Sequence, residues 1–284
     1  MKLSFTKMQG CANDYIYLDC RTSGVPEQIA ALSERLSRRH FSIGADGIIC
    51  ICAPVTAGAD AMMRIFNADG SEGKMCGNGI RCFARYAFEQ GVVQKSAFTV
   101  ETLAGPVRPE LLLTDGRVHA VRVDMGVPLT DRADIPAVGE GPCLDVPLEA
   151  GGEALTVSSV RVGVPHTIVF VDDIERAPVE RLGPLIEHAP LFPQRTNADF
   201  VQVLDGRTVA LRTWERGCGP TLACGTGACS TAVVCALTGR TGRSVDVRIA
   251  LGTLHVDWAA DGHVYMTGPA AYVCTGDAAC GEPG

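Results

Sequence analysis

The chain has 284 residues, 46% of them hydrophobic and 20% charged, which is the balance of a globular protein and not of a disordered one. Its 25 basic and 32 acidic residues leave a net charge of −7. A general nucleic-acid binder needs a basic footprint and a membrane-spanning helix needs roughly 18 consecutive apolar residues; this chain has neither. At about 150 residues per domain the length suggests two domains, and the opening Met1-Lys2-Leu3-Ser4 lacks the apolar core of an export signal, predicting a cytoplasmic protein.

In chain order, residues 15–18 and 47–51 read as apolar strands, with an amphipathic helix over 26–39 between them. A largely apolar helix follows at 79–90, then strands at 118–123 and 167–171, a second apolar helix at 227–237, and a strand at 245–249. Asp115-Gly116 and Asp261-Gly262 mark hairpin turns. The fold class is α+β with few helices, and helices apolar on every side belong inside a sheet or between domains.

Thirteen cysteines without an export signal predict reduced thiols. No Cys-x-x-Cys pair occurs, so no structural metal site is expected. Cys20, Cys50, Cys52, Cys82, Cys143, Cys229, Cys235 and Cys274 read as small buried hydrophobes, while Cys11 and Cys218 receive no assignment. Cys76 and Cys224 differ because they sit in an internal repeat. Arg64-Ile65-Phe66, Cys76-Gly77-Asn78-Gly79 and the apolar helix behind them recur 148 residues later as Arg212-Thr213-Trp214, Cys224-Gly225-Thr226-Gly227 and a second apolar helix. Ala45-Asp46-Gly47-Ile48 similarly resembles Ala198-Asp199-Phe200-Val201. Two homologous halves follow, each presenting one cysteine at a helix start.

A glycine turn at a helix N-terminus aims backbone N–H groups outward and carries about half a positive charge, a natural seat for a carboxylate. A cysteine there has its thiolate favoured, into a pKa range of roughly 3.5–7.5. Two such turns facing each other across a cleft would hold one α-carboxylate, with a thiol on either face of its α-carbon. One thiolate removes the α-proton and the opposite thiol returns one, inverting the centre without a cofactor. No complete dinucleotide fingerprint, Walker A sequence or Gly-x-Ser-x-Gly elbow competes. A thiol hydrolase using Cys224 and His166 would leave Cys76 unexplained, and a non-catalytic carboxylate binder would exchange no α-proton.

The motifs Lys7-Met8-Gln9-Gly10 with Asn13-Asp14, Gly44-Ala45-Asp46-Gly47, Asn67-Ala68-Asp69-Gly70-Ser71-Glu72 leading to Cys76-Gly77-Asn78-Gly79, Pro165-His166, Glu215-Arg216-Gly217 and Cys224 to Cys229 resemble the diaminopimelate epimerase family nearly end to end. The resemblance implies two homologous domains, each a mostly antiparallel sheet or barrel wrapped around a central helix, with the active site in the cleft between them. Their bounds would be 1–121 and 122–267, with the tail 268–284 returning to the first. It makes Cys76 and Cys224 the acid–base pair, Cys224 accepting the proton in the LL-to-meso direction. Gly77, Asn78, Gly225 and Thr226 would hold the reacting carboxylate; Asn13, Asn67, Asn197, Glu215 and Arg216 would bind the rest of the diaminopimelate, and His166 and Glu215 would tune the thiols. It implies neither cofactor nor metal, and a homodimer formed around Tyr272.

Read alone, Asn13, Asn67 and Asn197 are turn residues, Glu215-Arg216 a solvated pair, and His166 a structural histidine; Arg64 and Arg212 read as exposed strand residues. Two departures from the family pattern bear on substrate identity. Val164 stands where an asparagine commonly precedes Pro-His, removing a hydrogen-bond donor typically worth about 0.5–1.5 kcal/mol, and Ala12 replaces a frequent glycine. A histidine-type racemase on the same scaffold is the sibling alternative. A disulfide between Cys76 and Cys224 is the expected inactive oxidised form.

Overall fold

The computed structural model describes residues 2–279. The chain forms two compact units, one running to Val123 and taking back the chain from Gly268, the other spanning Asp124–Thr267. Among the described residues no helix is long and apolar enough to cross a membrane.

The first unit opens with β1 (Lys2–Gly10) and β2 (Asn13–Asp19), an antiparallel pair turned at Cys11 and Ala12. Both turn residues are left-handed, with φ of 56° and 66°, a conformation that disfavours any residue with a Cβ. Glycine would adopt this angle at position 12 without strain. The first helix, α1 (Ile29–Ser37), is shorter than the 26–39 expected from periodicity. Pro26 to Gln28 form a turn in which Ile29 N–H bonds the Pro26 carbonyl at 3.1 Å. At the other end Arg38 turns extended, and the Arg39 guanidinium leaves the helix for the carboxylates of Asp14 and Asp46.

Next come β3 (Gly47–Cys52), β4 (Ala61–Asn67), the short β5 (Glu72–Gly73), α2 (Gly77–Glu89), β6 (Val100–Thr102), β7 (Gly105–Val107) and a hairpin of β8 (Pro109–Thr114) and β9 (Arg117–Asp124). The returning tail, residues 271–279, pairs antiparallel with β1, so the first unit's strands run tail, β1, β2, β3, β4, β6, β7. Every residue of β3 is buried. Its β-branched run suits a strand covered on both faces: Ile48 and Cys50 join Ile16, Leu18, Leu32 and Leu36 beneath α1, while the sheet's other face receives α2.

The second unit repeats the plan with β10 (Val146–Ala150), β11 (Glu153–Val162), β12 (Val164–Phe170), α3 (Val179–Glu187), β13 (Asn197–Val203), β14 (Thr208–Glu215), β15 (Gly219–Thr221), α4 (Gly225–Leu237), β16 (Ser244–Ile249), β17 (Gly252–Trp258) and β18 (Val264–Gly268); the tail strand is then β19 (Ala271–Ala279). Within it the strand order is β10-β11-β12-β13-β14-β16-β17-β18. Both sheets are mixed in the same way: β2–β3 and β4–β6 are parallel in one, β12–β13 and β14–β16 in the other. The helices α2 and α4 have equal length and the 148-residue offset seen in the sequence. The sheet wraps α4, which packs against β11, β12, β13, β14, β16 and β17, and ten of its residues are buried. A helix with no polar face needs such a wrapping. On the sheet's outer face α3 covers Val169, Ala198 and Phe200 through Leu182 and Ile186.

The twelve described cysteines are free thiols. Cys20, Cys50, Cys52, Cys82, Cys143, Cys229 and Cys235 are buried as expected, but Cys274 is exposed, because it sits on β19, the outermost strand of its sheet. Arg64 is half-buried, not a free surface residue: its guanidinium bonds Glu72 at 2.7 and 3.0 Å. Arg81 is fully buried in the first unit. It donates to the Gly77 carbonyl, the Asn78 side chain and the Pro269 carbonyl at 2.9, 2.8 and 3.1 Å, tying the start of α2 to the returning tail.

Two stability predictions follow. Arg81→Ala strands these acceptors in the interior and should cost about 2–4 kcal/mol in urea unfolding. Ala12→Gly relieves the left-handed turn and should raise stability by about 0.5–1 kcal/mol, after allowing for the greater freedom of the unfolded chain.

Candidate active site

Each apolar helix begins at a cysteine. Cys76 is the N-cap of α2, and its sulfur accepts the Gly79 N–H at 3.3 Å. The same sulfur lies 3.4 Å from Asn13 Oδ1, to which the thiol donates. Asn13 Nδ2 in turn donates to Asp46 Oδ2 at 2.7 Å. Asn13 starts β2, and the next residues on the same strand face also serve this turn. The Tyr17 hydroxyl bonds the Gly79 carbonyl at 3.0 Å. The Tyr15 phenol, between them, is pushed to a higher pKa by burial first and then by the charge of Cys76 and its hydrogen bond to that thiol. Beneath the turn, Asp14 bonds Lys7 at 2.8 Å and also Arg39. Burial alone would raise its pKa, but these cations together hold it below the usual carboxylate value.

The second unit builds a parallel arrangement with different side chains. Cys224 is the N-cap of α4, and its sulfur lies 3.4 Å from the Thr226 hydroxyl. Thr226 Oγ1 is 2.9 Å from His166 Nε2, and His166 Nδ1 is 2.6 Å from Asp199 Oδ2. Thr213 donates to the other Asp199 oxygen at 2.7 Å. A carboxylate oxygen accepts, so the tautomer with its proton on His166 Nδ1 donates to Asp199 and leaves Nε2 to accept from Thr226. The hydrogen bonds then run in one direction, from the Cys224 thiol to Thr226 to His166. Asp199, His166 and Thr213 are all buried.

The expectation of a lowered thiol pKa at a helix start fails for Cys224. Burial pushes it well above the ordinary value, and the charges of Glu215 and Asp199 push further, against the hydrogen bonds of Thr226 and the Gly227 N–H. The helix amides do favour the thiolate, but desolvation outweighs them.

A family model for diaminopimelate epimerase matches residues 5–130 and 158–273. The diaminopimelate epimerase of Moorella thermoacetica is 50% identical over 277 residues, covering 97% of this chain and 99% of that protein. That of Pelotomaculum thermopropionicum is 47% identical, covering 97% and 98%. The chain belongs to the diaminopimelate epimerase family. Its fold also resembles more distant solved structures. One is a probable proline racemase from Agrobacterium radiobacter K84, with TM-score 0.70, 17% identity, and coverage of 98% of this chain and 93% of that one. Another is a phenazine biosynthesis protein of the PhzF family from Bacillus anthracis, with TM-score 0.69, 16% identity, and coverage of 98% and 99%.

The remaining residues singled out from the family resemblance fall into the two units separately. Gly77 and Asn78 open α2, Gly225 and Thr226 open α4, and a helix's first N–H groups have no acceptor within the helix. In the first unit Asn67 ends β4, its Nδ2 donating to the Ser71 hydroxyl at 3.0 Å. Asn197 is buried and uses both ends of its amide, Nδ2 on the Pro165 carbonyl at 2.7 Å and Oδ1 on the Arg216 N–H at 2.8 Å. Arg216 is exposed, its guanidinium bonding the Gln194 carbonyl at 3.0 Å. Glu215 accepts from the Thr221 hydroxyl at 2.7 Å. Val164 is 37% exposed at the start of β12. Among the described residues no group of His, Cys, Asp and Glu side chains is placed to hold a metal ion.

Sequence reasoning gave no role to Asp46, Asp199, Tyr15 or the Thr226 hydroxyl. A signal for the two aspartates existed in the repeat. Asn13 and His166 are 153 residues apart, and so are Asp46 and Asp199, so each half ends the hydrogen-bonded chain from its thiol on a carboxylate at the equivalent position.

The turn at Cys224 is tightly packed, which yields a test of its geometry. A Cβ at Gly227 would stand 3.0 Å from Asp199 Oδ1, 3.3 Å from Cys224 Cβ and 3.3 Å from His166 Cε1. Gly227→Ala should therefore shift the cysteine, the histidine and the aspartate together. Activity should fall at least tenfold while the circular-dichroism spectrum stays native.

Proposed function

We propose that this protein interconverts LL- and meso-2,6-diaminopimelate by cofactor-independent proton transfer at one α-carbon, serving lysine and cell-wall precursor synthesis in the cytoplasm. The observation that carries the reading is the pair of N-cap thiols, each at the end of a hydrogen-bonded chain that ends on an aspartate. Catalysis requires the two helix starts to meet opposite faces of the same carbon.

In the LL-to-meso direction Cys224 is the base. Its buried thiol must first lose a proton, and the chain through Thr226 leads to His166, where the Asp199 carboxylate stabilises an imidazolium. The thiolate then takes the α-proton. The amides of Gly77, Asn78, Gly225 and Thr226 hold the α-carboxylate and stabilise the charge that spreads into it from the carbanion. Cys76 returns a proton to the opposite face, and the centre inverts. Asn67, Glu215 and Arg216 bind the distal amino-acid end, while Asn197 sets the Arg216 backbone and Asn13 orients the Cys76 thiol. With valine at 164, distal binding loses one donor relative to the common family pattern. The sibling racemase reading is separated from this one by substrate choice alone.

The deciding experiment uses reduced protein with LL-diaminopimelate in D2O and no added cofactor. Inversion with solvent deuterium at the new centre, abolished in Cys76→Ala and in Cys224→Ala, is the expected result. Exchange on histidine but not on diaminopimelate would establish the racemase instead, and exchange on neither would end the epimerase reading.

The raised Cys224 pKa carries its own prediction. Above the ordinary thiol value of 9.0 an unperturbed cysteine is mostly thiolate, whereas Cys224 stays protonated. In Cys76→Ala protein, alkylation at Cys224 by a neutral haloacetamide should be slow at pH 7. It should still be rising with pH beyond 9.

A homodimer is also proposed, from the family resemblance. The half-buried Tyr272 of β19 packs its ring 5.3 Å from the Arg85 guanidinium, and burial raises its phenol to about 12. Tyr272→Ala should shift the protein to monomer in light scattering.

A further inference from the structure

We propose that Asp46 is a positioning residue for the reaction: it locks the Asn13 amide so that its oxygen, and not its NH2, faces the Cys76 thiol. The inference rests on Cys76 being the proton donor of the reaction proposed above. Gly44-Ala45-Asp46-Gly47 was conspicuous in the sequence but received no function there.

Asp46 is held firmly. Its N–H bonds the Asp14 carbonyl at 2.7 Å, and its own carbonyl accepts the Ala68 N–H at 3.0 Å. One carboxylate oxygen accepts from Arg39 at 3.0 Å. The other accepts from Asn13 Nδ2 at 2.7 Å and from the Asp14 N–H at 3.1 Å. The remaining charged and titratable groups of the cluster are Asp14, paired with Lys7 and Arg39, and the phenol of Tyr15.

A side-chain amide has one accepting end and one donating end, and an ionised carboxylate accepts only. Asp46 can therefore bind Asn13 in one orientation, which turns Oδ1 away from the carboxylate and toward Cys76 Sγ, 3.4 Å away. A thiol donating to a carbonyl oxygen is kept as S–H. If the amide were reversed, its NH2 would favour the thiolate and so work against a proton donor. The Gly79 N–H, 3.3 Å from the same sulfur, remains to receive the charge once the proton has left. The second unit supports the assignment independently, since His166 and Asp199 lie 153 residues after Asn13 and Asp46, and Asp199 fixes the ring as Asp46 fixes the amide. The difference lies in the held group: imidazole can carry a proton away, and a carboxamide cannot.

The test reads the Cys76 thiol directly and needs no turnover. In a Cys224→Ala chain, the rate of Cys76 alkylation by iodoacetamide at pH 7 is followed by site-resolved mass spectrometry. Asp46→Ala releases the amide to turn its NH2 to the sulfur, and the rate should rise about threefold to tenfold. Asp46→Asn keeps an acceptor oxygen for Asn13 Nδ2 and should stay within twofold of the parent. Asn13→Ala removes the acceptor of the thiol proton and should also raise the rate, and adding Asp46→Ala to it should change nothing more. With Cys224 intact, Asp46→Ala should lower kcat in the LL-to-meso direction and leave KM unchanged.

An unchanged alkylation rate in folded Asp46→Ala overturns the proposal, as does a full additional effect on top of Asn13→Ala. If Asp46→Ala fails to fold, Asn13→Ala decides, and an unchanged rate there is equally fatal. Failure of the epimerase reading would show separately, as absence of solvent exchange in the unmutated protein.

Discussion

Each unit depends on a helix whose flank is almost wholly consumed by packing. In α4 the sheet takes ten of the thirteen residues, and in α2 Ile80, Arg81, Phe83 and Ala84 are buried in the same way. Such a helix can present chemistry only at its ends. At the N-terminal end the first amides lack intrahelical acceptors, and a cysteine N-cap partly answers them with sulfur. The rest of the local structure, from the glycine turn to the strand residues beneath it, is arranged around that sulfur.

The two halves solve this shared problem with unequal side chains, and the inequality suits the unequal work that the proposed reaction asks of the two thiols. In the first, a carboxylate and a carboxamide hold the Cys76 proton in place, close to the paired charges of Lys7, Asp14 and Arg39. In the second, a carboxylate and an imidazole offer the Cys224 proton a way out through a threonine hydroxyl. Burial raises the cost of ionising Cys224, so a nearby proton acceptor is needed for it to act as a base at neutral pH. Related solved folds extend to a probable proline racemase and a phenazine biosynthesis protein at 16–17% identity. The scaffold thus outlasts sequence similarity, as expected when function resides in groups placed upon it.

Several constraints near the site explain residues that are puzzling in one dimension. Arg81 is a cation inside a core helix, and its three carbonyl acceptors anchor the end of the chain to the start of α2. Ala12 occupies a left-handed turn that glycine would fill without strain. Asn197 looks like a turn asparagine, but both ends of its amide are committed to the backbone of Pro165 and Arg216. Its amide therefore sets the backbone position of Arg216.

The α+β class, the duplication, the two apolar helices and the two cysteines at their starts were all legible in the sequence, because each leaves a local mark. Hydrophobic residues on every side of a helix demand burial, and a Cys-Gly-x-Gly turn names its own position. The extent of α1 was not legible, because its last turn is given up so that Arg39 can reach Asp14 and Asp46 from elsewhere in the chain. Nor was the direction of the Cys224 shift, since periodicity reports a helix start and not the depth at which the fold buries it. The partners of Asn13 and His166 were likewise decided by tertiary structure. Each aspartate lies 33 residues from the group it holds, and only the parallel pairing of β2 with β3 and of β12 with β13 brings the two together.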